Sequence, residues 1–448
     1  MINLMRGGEQ YFILGIYNNI LSAYHANFIM KRIIICCDGT WNKPGSMDLG
    51  KVVKTNVQKL YEASSNKGTD GIQQVKYYGQ GVGTGYSILD KFFGGATGKG
   101  IDRNIKDAYK FIMWNYEPGD ELYFFGFSRG AYTARSLVGL IRNCGVMKAD
   151  YLNLVDEAYA LYRDRNAITH PDSDLMMAFK TRYSQITRIK FVGVWDTVGA
   201  LGIPIQFFTW FNKEYQFHDV KLSSDVDYAY HAVALDEKRR LFQPTLWEMS
   251  RSAMNDRIEQ HFEQVWFPGV HSNVGGGYAD TGLSDVALEW MIQKAQDAGL
   301  GFRENYLKEK IKPDAKGIIR DSVTGMYYFL PRKIREVNKP EKARYVDDYT
   351  EKVIEYDVVR NEKIHYSCFE RGGMVEKYKP INLTKAMDLK TPLFPDLVNW
   401  RNEWKKYIPK VFRKLYSDTF VQADKKKEFE LWEKEEEENI QPQKSVGE

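Results

Sequence analysis

The stretch Glu121–Arg135, reading ELYFFGFSRGAYTAR, constrains this chain more than any other. An apolar run leads into Gly126-Phe-Ser128-Arg-Gly130. A helical pattern follows, with Ala131, Ala134, Leu137, Val138 and Ile141 on one side. A serine held on a sharp bend needs neighbours almost free of side chain, which Gly126 and Gly130 supply. A helix starting just after Ser128 aims its free N–H groups at any negative charge formed there, the Arg129 amide first. Strand, G-x-S-x-G and helix in that order read as a nucleophile elbow rather than a tight structural turn.

Similar units lie on either side. The β-branched run Arg32–Cys37 empties into Asp38-Gly-Thr-Trp-Asn42, and Thr55 has the position of an N-cap for a helix through Val57, Leu60 and Tyr61. Val75–Tyr78, Arg188–Trp195 and Gln264–Phe267 read as further strands. Ile105, Tyr109, Ile112 and Tyr116 mark one face of a helix closed by Pro118-Gly119. Residues 150–187 read as amphipathic helices. The class is α/β: a mostly parallel sheet flanked by helices, with a C-terminal mixed and helical extension. Tyr327–Pro331 and Lys363–Cys368 read as strands, Pro392–Leu415 as an amphipathic helix, and Ala423–Glu448 as a solvated charged tail. The expected division is a lead at 1–30, a hydrolase-type domain at 31–385 and the extension at 386–448. Met30 is a second candidate start, which would make residues 1–29 a loosely attached lead.

Composition excludes several classes. With 63 basic and 59 acidic residues the formal net charge is only +4, so nothing favours a nucleic-acid partner. Cys36, Cys37, Cys144 and Cys368 have neither a disulfide framework nor zinc-ligand spacing, so no metal is expected and a reducing cytoplasm fits synthesis. No run reaches the roughly 18 apolar residues of a membrane span, and Phe12–Tyr17 is too short for a signal-peptide core. Gly94–Gly100 falls one residue short of a phosphate loop, and Gly79–Gly85 misses G-x-G-x-x-G. The long Gly79–Gly100 connection therefore reads as a mobile loop near the site mouth, and no cofactor is expected.

Ser128, Asp196 and His271 each follow an expected strand, in the α/β-hydrolase order Ser, Asp, His. The chemistry needs all three. A serine hydroxyl is a weak nucleophile until a histidine takes its proton, and a buried carboxylate fixes that histidine's tautomer. The second oxyanion donor is expected from the first strand's loop, at the Gly39 or Thr40 amide; Asp38 reads as a turn-former bonding nearby amides. Two competitors weigh against His271: His231, in what reads as a helical pattern and fits a core histidine, and His365. Asp236 is the alternative acid, although Arg239 and Arg240 beside it suggest a structural ion-pair network. The aromatic stretch Ile203–Phe211 is either a lid or lipid-facing surface or part of the core.

Cys37-Asp-Gly-Thr-Trp-Asn42, Thr55-Asn-Val57, Gly126–Arg135, Val194-Trp-Asp-Thr-Val-Gly199 and Gly269–Tyr278 together resemble a bacterial and fungal α/β-hydrolase domain family that includes type VI secretion phospholipase effectors. The resemblance extends from about 32 to 385, since Ile364–Ser367, Arg371 and Tyr378–Leu383 look like that family's closing segment; Asn273 departs from its usual Asp. It implies a triad of Ser128, Asp196 and His271 and, for the effector branch, cleavage of phospholipid acyl esters through an acyl-enzyme. A soluble carboxylesterase and a non-catalytic interaction module are the alternatives. The partners implied are a lipid or ester substrate, a membrane surface, and a secretion-system or immunity protein, with export by a type VI system.

Overall fold

β1, Lys31–Cys37, is buried at every position after the first. Its alternate side chains feed two different cores. Ile33 and Ile35 enter one with Tyr109 and Leu137; Ile34 and Cys36 enter the other with Val57 and Leu288. A strand buried on both faces is the mark of a parallel sheet covered by helices on each side, and it explains the unbroken apolar run. The computed structural model describes residues 30–39, 42–81, 98–164, 166–198, 221–249, 260–346, 353–375, 378–388 and 393–394.

After β1 come α1 (Asn56–Ala63), β2 (Gln73–Gly79), α2 (Gly98–Asn115), β3 (Glu121–Phe127), α3 (Arg129–Cys144) and β4 (Ile189–Trp195). Then follow β5 (Val226–Ala234), β6 (His261–Phe267), α4 (His271–Gly275), α5 (Gly282–Asp297), β7 (Glu362–His365) and the two-residue β8 (Leu393–Phe394). Thr55 caps α1 as its spacing implies, its side chain accepting from the Gln58 N–H.

The eight strands lie in the order β8-β7-β6-β5-β4-β3-β1-β2, and all their pairings are parallel. The chain moves outward from β1 to β2, then crosses back to β3 on β1's other side. Ligand sites of open parallel sheets form beyond the carboxyl ends of the strands where this reversal occurs. The turn after β1 and the elbow after β3 meet there.

Three local readings need correction. His231 lies in strand β5, not in a helix: the run VDYAYHAVA is alanine-rich, and a strand buried on both faces shows no alternation to tell it from a helix. Residues Gly325–Phe329 form a 3-10 turn in place of the strand expected at 327–331. The strand expected at 363–368 stops at His365, and a helix starts at Ser367. The lead 1–29, most of the glycine-rich connection, the aromatic stretch 203–211, the helix expected at 392–415 and the charged tail all lie outside the described residues, apart from the short β8.

Candidate active site

Ser128 has φ 57° and ψ −122°, a left-handed conformation that a residue with a Cβ adopts only under constraint. The constraint is visible in the flanking glycines. A Cβ on Gly126 would come 2.5 Å from the Gly130 carbonyl oxygen, and one on Gly130 would come 2.1 Å from that of Cys37. No larger side chain fits between β3, α3 and the end of β1. The Ser128 N–H donates to the Trp195 carbonyl at 3.1 Å, which ties the elbow to the end of β4.

The next residue after Trp195 is Asp196, also at positive φ (39°) and without solvent exposure. Its N–H donates to the Ala232 carbonyl at 2.7 Å. Its carboxylate has four donors. Oδ1 accepts from the Ala234 N–H at 2.9 Å and from Arg335 Nη1 at 2.6 Å; Oδ2 faces His271 Nδ1 at 2.6 Å and accepts from Arg335 Nη2 at 3.0 Å. Burial alone would raise this carboxyl, but the Arg335 charge, followed by the bond and charge of His271, holds it well below the usual carboxylate range.

His271 opens α4, directly beyond the carboxyl end of β6. An ionised carboxylate only accepts, so the proton shared with Asp196 sits on Nδ1 and Nε2 is the basic nitrogen. The ring lies between Phe127 (centroids 4.6 Å apart) and the edge of Phe242 (5.0 Å). Burial among these groups pushes the imidazole below its ordinary pKa, against the upward pull of Asp196. The His271 N–H donates to Glu237 at 3.2 Å, and that buried carboxylate is bonded by Arg239 and the Ser322 hydroxyl as well. Burial would raise Glu237, but Arg239 outweighs it and lowers it to about 2.

On the oxyanion side, α3 begins at Arg129, so its first-turn amides have no acceptor within the helix. The Arg129 side chain is itself buried, and burial pushes its guanidinium down to about 10. Gly39 disagrees with the expectation of a donor turned toward the serine. Its N–H donates to Asp38 Oδ1 at 2.7 Å, because the Asp38 carboxylate is drawn inward by Thr55 (2.7 Å) and Tyr78 (2.5 Å) and captures the nearest amide. Thr40 lies outside the described residues.

The rival residues have other partners. His231 is fully buried: Nε2 accepts from the Thr197 N–H at 3.1 Å and Nδ1 meets Gln264 at 3.2 Å. His365 bonds Ser367 and stacks on Phe267. Asp236 makes no ion pair with Arg239, which Glu237 holds instead; its Oδ2 accepts from the Gly269 N–H and the Tyr378 hydroxyl. Sequence reasoning misses Arg335 and Glu237. Glu237 stands next to Asp236, the more conspicuous acid, and Arg335 sits in the basic run Arg332-Lys-Ile-Arg335, which reads as surface. Among the described residues no group of three or more His, Cys, Asp or Glu side chains is gathered as a metal site, and no helix is long and apolar enough to cross a membrane.

Residues 31–294 match the family described as T6SS, phospholipase effector Tle1-like, catalytic domain. An uncharacterized protein of Saccharomyces cerevisiae is 31% identical over 237 residues, covering 48% of this chain and 32% of that protein. A crystal structure of an uncharacterized protein from Pseudomonas aeruginosa is similar with 18% identity and a TM-score of 0.41, covering 67% of this chain and 52% of the other. The structure of the Tle1 effector bound to the VgrG spike from the type 6 secretion system is similar with 21% identity and a TM-score of 0.31, covering 57% and 52%. The chain thus spans about a third of the yeast protein's length and about half that of each solved structure.

Proposed function

The chain belongs to the family of Tle1-like phospholipase effector catalytic domains, and from that premise we propose that it is a serine-dependent phospholipase acting through Ser128, His271 and Asp196. One observation carries the reading. Ser128 and Asp196 are non-glycine residues held at positive φ beyond adjacent strands, and the carboxylate of the second lies 2.6 Å from Nδ1 of an imidazole whose ring rests on Phe127, the residue before the serine. Positive φ at such positions costs stability and is retained where geometry is needed for chemistry.

In this mechanism His271 Nε2 takes the Ser128 proton as Oγ attacks the acyl carbonyl. Asp196 holds the imidazole's orientation and stabilises the imidazolium. The tetrahedral oxyanion is stabilised by first-turn amides of α3, starting with Arg129, and by Gly39 if its amide leaves Asp38. The imidazolium then protonates the departing lysolipid, and water, activated by the same nitrogen, releases the fatty acid from the acyl-enzyme. A membrane surface and a secretion-system partner belong to this reading, the latter by analogy with the spike-bound effector.

The test is fatty-acid release from mixed phospholipid liposomes, together with labelling by a fluorophosphonate. Wild type releases fatty acid and labels, and Ser128→Ala does neither. Labelling with hydrolysis of soluble esters alone would assign a carboxylesterase. No labelling of folded wild type would remove the enzymatic reading and leave an interaction module.

A further inference from the structure

Arg335 has no place in a Ser-His-Asp triad, yet its side chain and that of Asp196 are both at 0% exposure, in a two-pronged ion pair. The segment carrying it is fixed across the site. The Arg240 N–H donates to the Pro331 carbonyl at 3.3 Å and the Lys333 N–H to the Lys238 carbonyl at 2.8 Å, laying residues 331–333 along the loop after β5. That path delivers Arg335 behind Asp196, where Nη1 and Nη2 also reach the carbonyls of Ala234 (2.6 Å) and Phe242 and Nε is left buried without a partner among the described residues. Phe242 is the residue whose ring edge meets His271.

We propose that Arg335 is a positioning residue of this site, clamping Asp196 in the orientation that meets His271 and cancelling enough of its charge to keep the imidazole neutral until substrate arrives. The proposal rests on His271 acting as the base. Asp196 and Glu237 favour the imidazolium and Arg239 opposes it, while Arg335 bears on the ring through the carboxylate it pairs with. With Arg335 present the charges balance. Without it the two carboxylates outweigh Arg239, and the ring takes up a proton at higher pH. Bidentate geometry matters because a guanidinium fixes both carboxylate oxygens at once, which an ammonium cannot do.

The experiment follows the His271 imidazole by 15N NMR as pH is varied, in wild type, Arg335→Gln and Arg335→Lys, with the pH dependence of fluorophosphonate labelling at Ser128 in parallel. In Arg335→Gln the His271 midpoint rises by about one pH unit, and the acid limb of the labelling profile moves with it. Arg335→Lys keeps the charge and returns the midpoint close to wild type, at a lower labelling rate. An unmoved midpoint in folded Arg335→Gln overturns the proposal, as does an equal shift in Arg335→Lys. Arg335→Lys decides the matter where Arg335→Gln fails to fold: a lower labelling rate at an unmoved midpoint supports the proposal, and an unchanged labelling rate overturns it. The imidazole titration does not depend on catalysis. A shifted midpoint in a protein that never labels would support the clamp and sink the hydrolase reading alone.

Discussion

The ring of Phe127 lies against the imidazole of His271, with centroids 4.6 Å apart. The last residue of the elbow strand is thus a wall of the pocket that holds the candidate base, and the same ring fills the space beside Gly275, where an added Cβ would come 1.9 Å from Phe127 Cε2. Phe127→Leu removes that wall while keeping the core apolar. We expect a stability cost of about 1–2 kcal/mol by urea denaturation and a fall in liposome hydrolysis of about ten- to a hundredfold, since small displacements of reacting groups are costly. Wild-type activity in this variant would show that the ring has no part in placing the imidazole.

Gly130→Ala tests the elbow's packing. The added methyl would lie 2.1 Å from the Cys37 carbonyl oxygen and 2.5 Å from that of Asp38, both backbone atoms of a buried strand end that cannot swing aside. The expected loss is about 3 kcal/mol or more, at the upper end of overpacking costs, read as a lowered urea midpoint. A variant as stable as wild type would mean that β1 and α3 are not in contact as described.

Loss of Asp196 or Arg335 alone is expected to cost more stability than their joint replacement by apolar side chains would suggest. Asp196→Asn should lower turnover by about ten thousandfold through loss of the correct tautomer. Asp196→Leu and Arg335→Met should each cost about 3–5 kcal/mol, because each strands a buried charge. In the double variant Asp196→Leu/Arg335→Met the stability loss should be at least about 2 kcal/mol smaller than the sum of the two, with no recovery of activity. Additive losses would show that the pair is not coupled.

Asp38 predicts a pH effect on stability. Burial pushes its carboxyl up to about 6, against the bonds from Thr55, Tyr78 and Gly39. A folded value above the unfolded one of about 3.9 means that the stabilising contribution is fully present below about pH 3.9 and is lost as pH rises through about 6. The stability of wild type relative to Asp38→Asn should therefore decline across that window by roughly 2–3 kcal/mol, measured by urea denaturation at a series of pH values. A flat difference would place the Asp38 carboxyl at its ordinary value.

Much of the architecture is legible in the sequence because its signals are local. A buried parallel strand writes itself as an apolar run, an elbow as two glycines around a serine, and an N-cap as Thr55 three residues before the amide it bonds. The β5 strand misleads for an equally local reason: VDYAYHAVA carries no period that separates a strand buried on both faces from a helix. Gly39 misleads differently. Its place beyond β1 is readable, but the capture of its amide by Asp38 depends on Thr55 and Tyr78 drawing that carboxylate inward.

The sequence by itself determined that this chain forms a helix-flanked α/β sheet with a serine elbow, and it singled out Ser128, Asp196 and His271 as residues standing beyond strand ends. Only the tertiary structure decided what surrounds them: the rings of Phe127 and Phe242 about the imidazole, Glu237 beneath the His271 amide, and Arg335 behind Asp196 across 139 positions of chain. The physical reason is range. Backbone geometry and burial pattern are set by residues a few positions apart, whereas the partner of a buried charge is whichever opposite charge the folded chain brings within about 3 Å, and no spacing rule encodes that meeting.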